Sequence, residues 1–228
     1  DTLRAGFPLD PVESEIMPLV QLIELHKQYP EIALRLMNIS TANGVSILKY
    51  SSIRPMTTIF WWHLVMDNSS LSPFDLGWSV TPSLGSPLDR ASLIRGLEDD
   101  VLDAISVHST PADDSESLLP ANKRKKGISC YNIVLPMLWD QLIRKSGWEV
   151  DKLWEKISFG PSRFLNQAEE ELSLNSNRWL LFDPDKEWYQ SNEKNFLTTA
   201  TNQPLKDKKI FGKVIDCGLI NQAYQNDQ

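Results

Sequence analysis

The stretch Asp103-Ala104-Ile105-Ser106-Val107-His108-Ser109-Thr110-Pro111 is a short apolar segment that ends in polar residues. Its larger apolar residues, Ile105 and Val107, alternate with small ones and predict a strand that is buried on both sides, as in a parallel sheet covered by helices. His108 and Ser109 follow at the carboxyl end of this strand. In parallel α/β folds, functional side chains lie at the carboxyl ends of the strands. We therefore take His108 as a candidate functional residue.

The segments on both sides of this strand alternate between strand and helix patterns. Strands are predicted over residues 32–39, 56–64 and 104–107 from their apolar and β-branched content. Helices are predicted over residues 10–28, 41–48, 87–97, 131–145 and 150–158, with a short one after Pro161. Asp10 is the predicted N-cap of the first helix, since Pro11 and Glu13 follow it. This alternation favours an α/β fold with a parallel sheet and helical crossovers.

The pattern changes near Arg178. Stretches 179–185 and 208–217 are predicted strands separated by polar loops, so a small β element is expected after the α/β part. The predicted division is residues 1–170 for the α/β part and 171–228 for the β element.

The composition excludes several classes of partner. The 228 residues are 41% hydrophobic and carry a formal net charge of −7, so a packed core is expected and a nucleic-acid partner is not. No apolar run is long enough for a membrane span or a signal peptide, and a cytoplasmic location is expected. The basic run at residues 123–126 is predicted to be a solvated loop. Cys130 and Cys217 have no metal-ligand spacing and are expected to be buried thiols.

Four stretches, taken in order, resemble motifs of the dihydroorotase family of metal-dependent amidohydrolases. Residues 35–41 (RLMNIST) are similar to the strand end that carries a metal-binding histidine followed by an apolar residue, Ser and Thr. Residues 58–64 (TIFWWHL) resemble the strand with a His-His-Leu triplet. Residues 81–85 (TPSLG) resemble the Asn-Pro-Pro-Leu-Arg substrate loop, and residues 103–111 resemble the strand that ends in Asp-His-Ala-Pro. The resemblance implies common ancestry with this family.

The resemblance continues to the end of the α/β part and beyond it. Residues 157–163 are similar to the family's Asn-Pro-Ala-Arg helix start, and residues 179–185 to its returning strand with a Phe-Asp-Pro turn. The implied fold class is α/β, as the C-terminal half of a (β/α)8 TIM-type barrel, with roughly four strands, followed by a small β element. The chain lacks an initial methionine and is expected to be a piece of a longer protein. The open edge of a half barrel predicts pairing with its own N-terminal half or a homo-oligomer.

The site residues depart from the family pattern. Asn38 stands in place of a metal-binding histidine, and an amide is a poor ligand for zinc. His108 stands in place of the aspartate that binds metal and acts as general base, and Ser109 in place of the histidine that follows it. His63 matches a family histidine, while Trp62 replaces its neighbour.

The substrate loop departs as well. Thr81 and Gly85 replace the asparagine and arginine that the resemblance implies would hold a substrate carboxylate, and Leu84 matches the family leucine. Trp61 and Trp78 lie near the predicted barrel mouth together with Trp62. These tryptophans could line a pocket, although core packing is favoured.

These departures predict a catalytically inactive dihydroorotase-like protein with a structural or regulatory role linked to pyrimidine biosynthesis. No cofactor is expected, and the resemblance implies aspartate carbamoyltransferase as a possible partner. The alternative is a divergent metal-dependent hydrolase of a cyclic amide. That enzyme would bind zinc through His63 and His108 together with the His-x-His pair and carboxylated lysine that an N-terminal half supplies. Otherwise the two histidines are expected to be hydrogen-bonded structural residues.

Overall fold

The computed structural model describes residues 10–71, 76–120, 123–169, 173–174, 176, 178–190, 200–205 and 208–219. Its helices are α1 Glu13–Gln28, α2 Ala42–Tyr50, α3 Trp62–Val65, α4 Pro87–Glu98, α5 Asp114–Ser117, α6 Val134–Leu138, α7 Val150–Trp154 and α8 Gly160–Phe164. Its strands are β1 Arg35–Leu36, β2 Met56–Phe60, β3 Ala104–Ser106, β4 Arg178–Tyr189 and β5 Lys209–Leu219. In this part of the chain, no helix is long and apolar enough to cross a membrane.

Strands β1, β2 and β3 form a parallel sheet in that order. Arg35 pairs with Met56 at one end of the sheet, and Phe60 pairs with Ser106 at the other. Helices precede and follow each strand, which confirms the predicted α/β class with helical crossovers. The described part of the chain contains three barrel-type strands, one fewer than the four expected from the resemblance.

The three strands of the parallel sheet are shorter than predicted. β1 ends at Leu36 because the backbone turns into the left-handed region at Asn38, where φ is 66°. β2 ends at Phe60, and residues 62–65 form a helical turn, so the predicted strand across residues 56–64 is wrong in its second half. The last residue predicted for β3, Val107, is 42% exposed and lies outside the strand, although Ile105 is buried as predicted.

The start of α1 also differs from the prediction. The helix begins at Glu13, and the residue at its N-cap, Val12, makes no side-chain cap. The carboxylate of Asp10 instead accepts hydrogen bonds from the backbone and side chain of Ser83. Asp10 is therefore not the N-cap of α1. Its carboxylate connects the segment before the helix to the loop that contains Ser83.

The core lies between the sheet and the helices that cover it. Trp61 and Trp62 are essentially unexposed, at 0% and 1%, and Trp78 is buried beside Trp61 with ring centroids 6.1 Å apart. These three tryptophans belong to the same apolar cluster as Ile59 and Leu64. Core packing, the favoured interpretation of the tryptophans, is confirmed.

The helical part after β3 contains two π-helical turns. One covers Trp139–Lys145 as a continuation of α6, and the other covers Glu155–Phe159 between α7 and α8. α8 approaches β3 so closely that a Cβ at Gly160 would collide with the carbonyl oxygen of Asp103. The predicted helices over this region are confirmed, with an irregular hydrogen-bonding pattern.

β4 and β5 form a separate antiparallel pair. This pair packs on the helical part, where Phe182 lies 5.1 Å from Trp139 between ring centroids and Ile210 is buried. The small β element is as predicted, while the division at residue 170 stays a prediction. Cys130 is buried and Cys217 is exposed, so the expectation of two buried thiols is wrong for Cys217.

Candidate functional site

The carboxyl ends of the three parallel strands lie at one edge of the sheet, and each is followed by a residue singled out from the sequence. Asn38 follows β1, His63 follows β2 within α3, and His108 follows β3. In a barrel of parallel strands this edge carries the catalytic side chains. The candidate site is therefore built from these three positions and the loop at residues 81–86.

Asn38 bridges neighbouring strands. Its backbone N–H donates to the hydroxyl of Thr58 at 3.2 Å. Its Oδ1 lies 3.2 Å from the hydroxyl of Ser106, which is also 3.0 Å from the carbonyl oxygen of Ile59 and can donate to either oxygen. The amide therefore serves as a cross-strand contact at the position where the resemblance implies a metal ligand.

His63 is a buried, neutral histidine. Its side chain is 2% exposed, and Nε2 lies 3.3 Å from the carbonyl oxygen of Ser83. A carbonyl can only accept, so Nε2 carries the proton and donates. Burial lowers the pKa of His63 to about 4. Nδ1 is buried and has no hydrogen-bond partner among the described residues, which leaves one imidazole lone pair free.

His108 lies in a different environment. It is exposed on the loop after β3, and its ring centroid is 6.2 Å from that of Phe60. The Phe60 ring is also 6.4 Å from His63, so both imidazoles lie beside one phenyl ring. Within the described ranges, no cluster of three or more His, Cys, Asp or Glu residues could hold a metal ion. The metal roles suggested for the two histidines stay predictions.

An aromatic stack closes the end of β2. The rings of Phe60 and Trp62 are stacked with centroids 4.2 Å apart, and Trp62 is in edge contact with Trp61. Trp62 occupies the position where the family motif has a histidine. A buried indole at this point supplies packing and no metal-ligating lone pair.

The substrate-loop residues lie beside Asn38 and differ in their exposure to solvent. Thr81 is exposed, whereas Leu84 is buried. Gly85 is packed against Asp89, and a Cβ at position 85 would lie 2.8 Å from the Cβ and Oδ2 of Asp89. The loop thus has no room for a larger residue at position 85 unless Asp89 moves.

Hydrogen bonds fix the Asp89 side chain in its position beside Gly85. Its carboxylate accepts from the backbone N–H of Ala42 at 2.8 Å and from the backbone and hydroxyl of Ser86 at 2.8 and 2.6 Å. Burial opposes ionisation, but these hydrogen bonds hold the pKa of Asp89 below its ordinary value. Asp89 therefore remains a carboxylate that caps α2 and α4 together.

Glu15 performs a similar role at the start of α2. Its carboxylate accepts hydrogen bonds from the backbone N–H and from the hydroxyl of both Ser40 and Thr41. The distance is 2.7 Å for the Ser40 N–H and 2.6 Å for the Thr41 hydroxyl. Glu15 thus supplies the acceptor for the N–H and hydroxyl groups of the two residues that lead into α2.

Asp10, Glu15 and Asp89 are members of the site that the sequence did not predict. Their positions near helix starts are visible in the sequence. That they line one cavity is not, because they are far apart along the chain. They line one open cavity of about 640 Å³ with Asn38 and residues 81–86, and Arg35 is the basic residue in its lining. An anionic substrate would meet three carboxylates there, which disfavours its binding.

A dihydroorotase-like protein of Synechocystis is 30% identical over 224 residues, covering 93% of this chain and 49% of that protein. A dihydroorotase of Staphylococcus epidermidis is 24% identical over 178 residues, covering 77% and 42%. The chain thus spans about half the length of these relatives. No protein-family model matches the chain.

Solved structures of the same fold cover most of the chain. A dihydropyrimidinase from Brevibacillus agri matches with a TM-score of 0.74 at 18% identity, over 91% of this chain and 47% of that one. The inactive dihydroorotase-like domain of a CAD-like multifunctional protein from Chaetomium thermophilum matches with a TM-score of 0.62 at 14% identity, over 90% and 54%. The parallel sheet, the order of the motifs and these matches agree, and the chain is a relative of the dihydroorotase-like amidohydrolases.

Proposed function

We propose that the chain is part of a catalytically inactive dihydroorotase-like protein with a structural or regulatory role in pyrimidine biosynthesis. The carrying observation is the contact between Gly85 and Asp89, because Asp89 fills the space that a substrate-binding side chain at position 85 would need. In the family motif this position is an arginine, whose guanidinium suits a carboxylate. Here the loop presents a glycine beside a carboxylate.

The residues at the positions of the family's metal ligands support the same proposal. Asn38 uses its amide for contacts between strands, Trp62 is stacked in the core, and His108 is exposed to solvent. A binuclear metal site needs several imidazole and carboxylate ligands around one point. We propose that this protein binds no catalytic zinc.

A structural or regulatory role implies a partner enzyme in the same compartment. A solved neighbour is described as an inactive dihydroorotase-like domain of a multifunctional protein, so such domains exist without catalysis. By the family resemblance, we propose aspartate carbamoyltransferase as the partner and the cytoplasm as the location. Co-elution of the two purified proteins in size-exclusion chromatography tests this part, and independent elution would argue against it.

The loss of activity is tested by transferring the substitutions to a complete relative. In the Staphylococcus epidermidis dihydroorotase, the residues that correspond to Asn38, Gly85 and His108 are replaced one at a time by Asn, Gly and His. Each replacement should lower the turnover of dihydroorotate by about 10²-fold or more, since ligand, substrate clamp and general base are removed separately. Transfer of the buried residues Ile59 and Ile105 is the control and should leave turnover within about twofold.

One observation favours the alternative, a divergent hydrolase of a cyclic amide. Nδ1 of His63 keeps a free lone pair while Nε2 donates to a carbonyl, which is how many metal-bound histidines are oriented. Near-normal turnover in the three transferred variants, together with zinc that is lost from this protein on His63→Ala, would establish the hydrolase and overturn the inactive role.

A further inference from the structure

The polar loop that starts after Thr110 and ends before Gly127 is closed at its base by one asparagine. Nδ2 of Asn202 donates to the carbonyl oxygens of Thr110 at 2.8 Å and of Gly127 at 2.9 Å. Oδ1 of the same amide accepts from the backbone N–H of Ala112 at 2.9 Å. The two ends lie so close together that a Cβ at Gly127 would collide with the Thr110 side chain. The base of the loop is therefore fixed against the segment that contains Asn202.

A cavity of about 150 Å³ lies between this loop and residues 201–203. Its lining shares no residue with that of the 640 Å³ cavity of the candidate site. Liquid water takes up about 30 Å³ per molecule, so the volume corresponds to about five water molecules. Sites for drug-sized ligands begin at about 300 Å³. The cavity thus has room for a small organic molecule.

Arg124 is the loop residue with unused donors in the lining of this cavity. It is half-buried, whereas Lys123 beside it is exposed and lies outside the lining. Nε of Arg124 donates to the carbonyl oxygen of Leu119 at 2.6 Å. Within the described part of the chain, its two terminal nitrogens make no hydrogen bond and no ion pair. A guanidinium presents such nitrogens as a planar pair, which matches the two oxygens of a carboxylate.

The other charged residues of the lining neutralise each other. Nζ of Lys125 lies 2.8 Å from Oε1 of Glu116. This ion pair leaves the charge of Arg124 without a counterion among the described residues. A single positive charge in a small cavity suits a monoanion.

Gln203 offers a hydrogen-bond acceptor in the same cavity. Its side chain is buried, with the residue 6% exposed, and Nε2 donates to the carbonyl oxygen of Ala200 at 2.7 Å. The amide oxygen accepts no hydrogen bond from the residues that the structure describes. A buried acceptor without a donor costs free energy, which a donor on a bound molecule would recover.

We infer that this cavity binds a small carboxylic acid that also carries an amide-type N–H. The carboxylate pairs with the guanidinium of Arg124, and the N–H donates to the amide oxygen of Gln203. The Asn202 amide, whose protons and oxygen are used at the base of the loop, holds the two sides of the cavity together. The inference concerns a cavity apart from the candidate site and is independent of whether the protein is active.

The probe is N-acetylglycine, a monoanion with one carboxylate and one amide N–H. Isothermal titration of the purified protein should show one-to-one binding. Two matched probes each lack one of the recognised groups: butyrate has no N–H, and the methyl ester of N-acetylglycine has no charge. Each should bind about tenfold more weakly or less tightly still, because one hydrogen-bonded contact is lost.

Variants assign the two contacts to their residues. Arg124→Gln should weaken the binding of N-acetylglycine by about tenfold or more and remove its advantage over the methyl ester. Gln203→Met, a side chain of similar length without an acceptor, should remove the advantage over butyrate. Lys123→Gln changes the neighbouring basic residue outside the lining and should leave the dissociation constant unchanged. Because Arg124 is only half-buried, Arg124→Gln tests the site even where Gln203→Met fails to fold.

Four results would overturn the inference. Equal weakening by Lys123→Gln and Arg124→Gln would mean that the basic run attracts anions without a defined site. Equal binding of the three probes would show that neither contact selects the ligand. Tighter binding of inorganic phosphate than of N-acetylglycine would identify a phosphate site. No detectable binding of N-acetylglycine would mean that the cavity holds water alone.

Discussion

The carboxylate of Glu15 accepts a hydrogen bond from the hydroxyl of Thr41 at 2.6 Å and, with its other contacts, joins the start of α1 to the start of α2. It lies so close to Gly44 that a Cβ there would collide with Glu15 Oε1. This acid therefore lies at the N-terminal end of α2, where a negative charge is favourable.

Replacing this acid should destabilise the fold. Glu15→Ala removes the acceptor for four donors at Ser40 and Thr41, and we expect a loss of about 1 to 3 kcal/mol in the free energy of unfolding. Glu24→Ala on the same helix is the control, because Glu24 is exposed and pairs only with Lys27 in the described contacts, so a change within about 0.5 kcal/mol is expected. Urea unfolding of both variants checks this, and equal losses would contradict it.

Restoring the family arginine should harm the protein. Gly85→Arg forces Asp89 from its place, and overpacking of this kind typically costs about 1 to 3 kcal/mol. Asp89→Ala removes the side chain that the arginine would clash with. The double variant should therefore lose less free energy of unfolding than the two single variants lose together. Strictly additive losses in urea unfolding would show that Asp89 is not the obstacle.

The buried histidine makes stability depend on pH. The folded protein holds the pKa of His63 at about 4, below its ordinary value of 6.5, so between these pH values the unfolded chain binds more protons. Stability should therefore rise with pH from about 4 to 6.5, by roughly 3 kcal/mol for this group. His63→Gln should flatten the profile. A profile unchanged by His63→Gln would disprove the assignment.

Sequence patterns predicted the order of elements well, because alternation of apolar runs and helix caps is a local property. The end of β2 was missed because the apolar run from Phe60 to Leu64 suits a buried helical turn as well as a strand. The candidate site was predicted only where a family motif marked it, as at Asn38 and His63. The carboxylates of Asp10 and Glu15 reach their partners across long sequence separations, which a single sequence does not encode locally.

His108, which follows β3, and Ile105, which lies within it, should respond differently to substitution. His108 is exposed beyond the end of the strand, so His108→Asp, which restores the family residue, should change the free energy of unfolding by less than about 1 kcal/mol. Ile105 is 4% exposed within the strand, and Ile105→Ala should cost about 2 to 5 kcal/mol because it leaves a cavity in the core. Denaturant unfolding of the two variants beside the parent protein measures both. A larger loss for His108→Asp than for Ile105→Ala would mean that His108 supports the fold rather than lying free at the edge of the sheet.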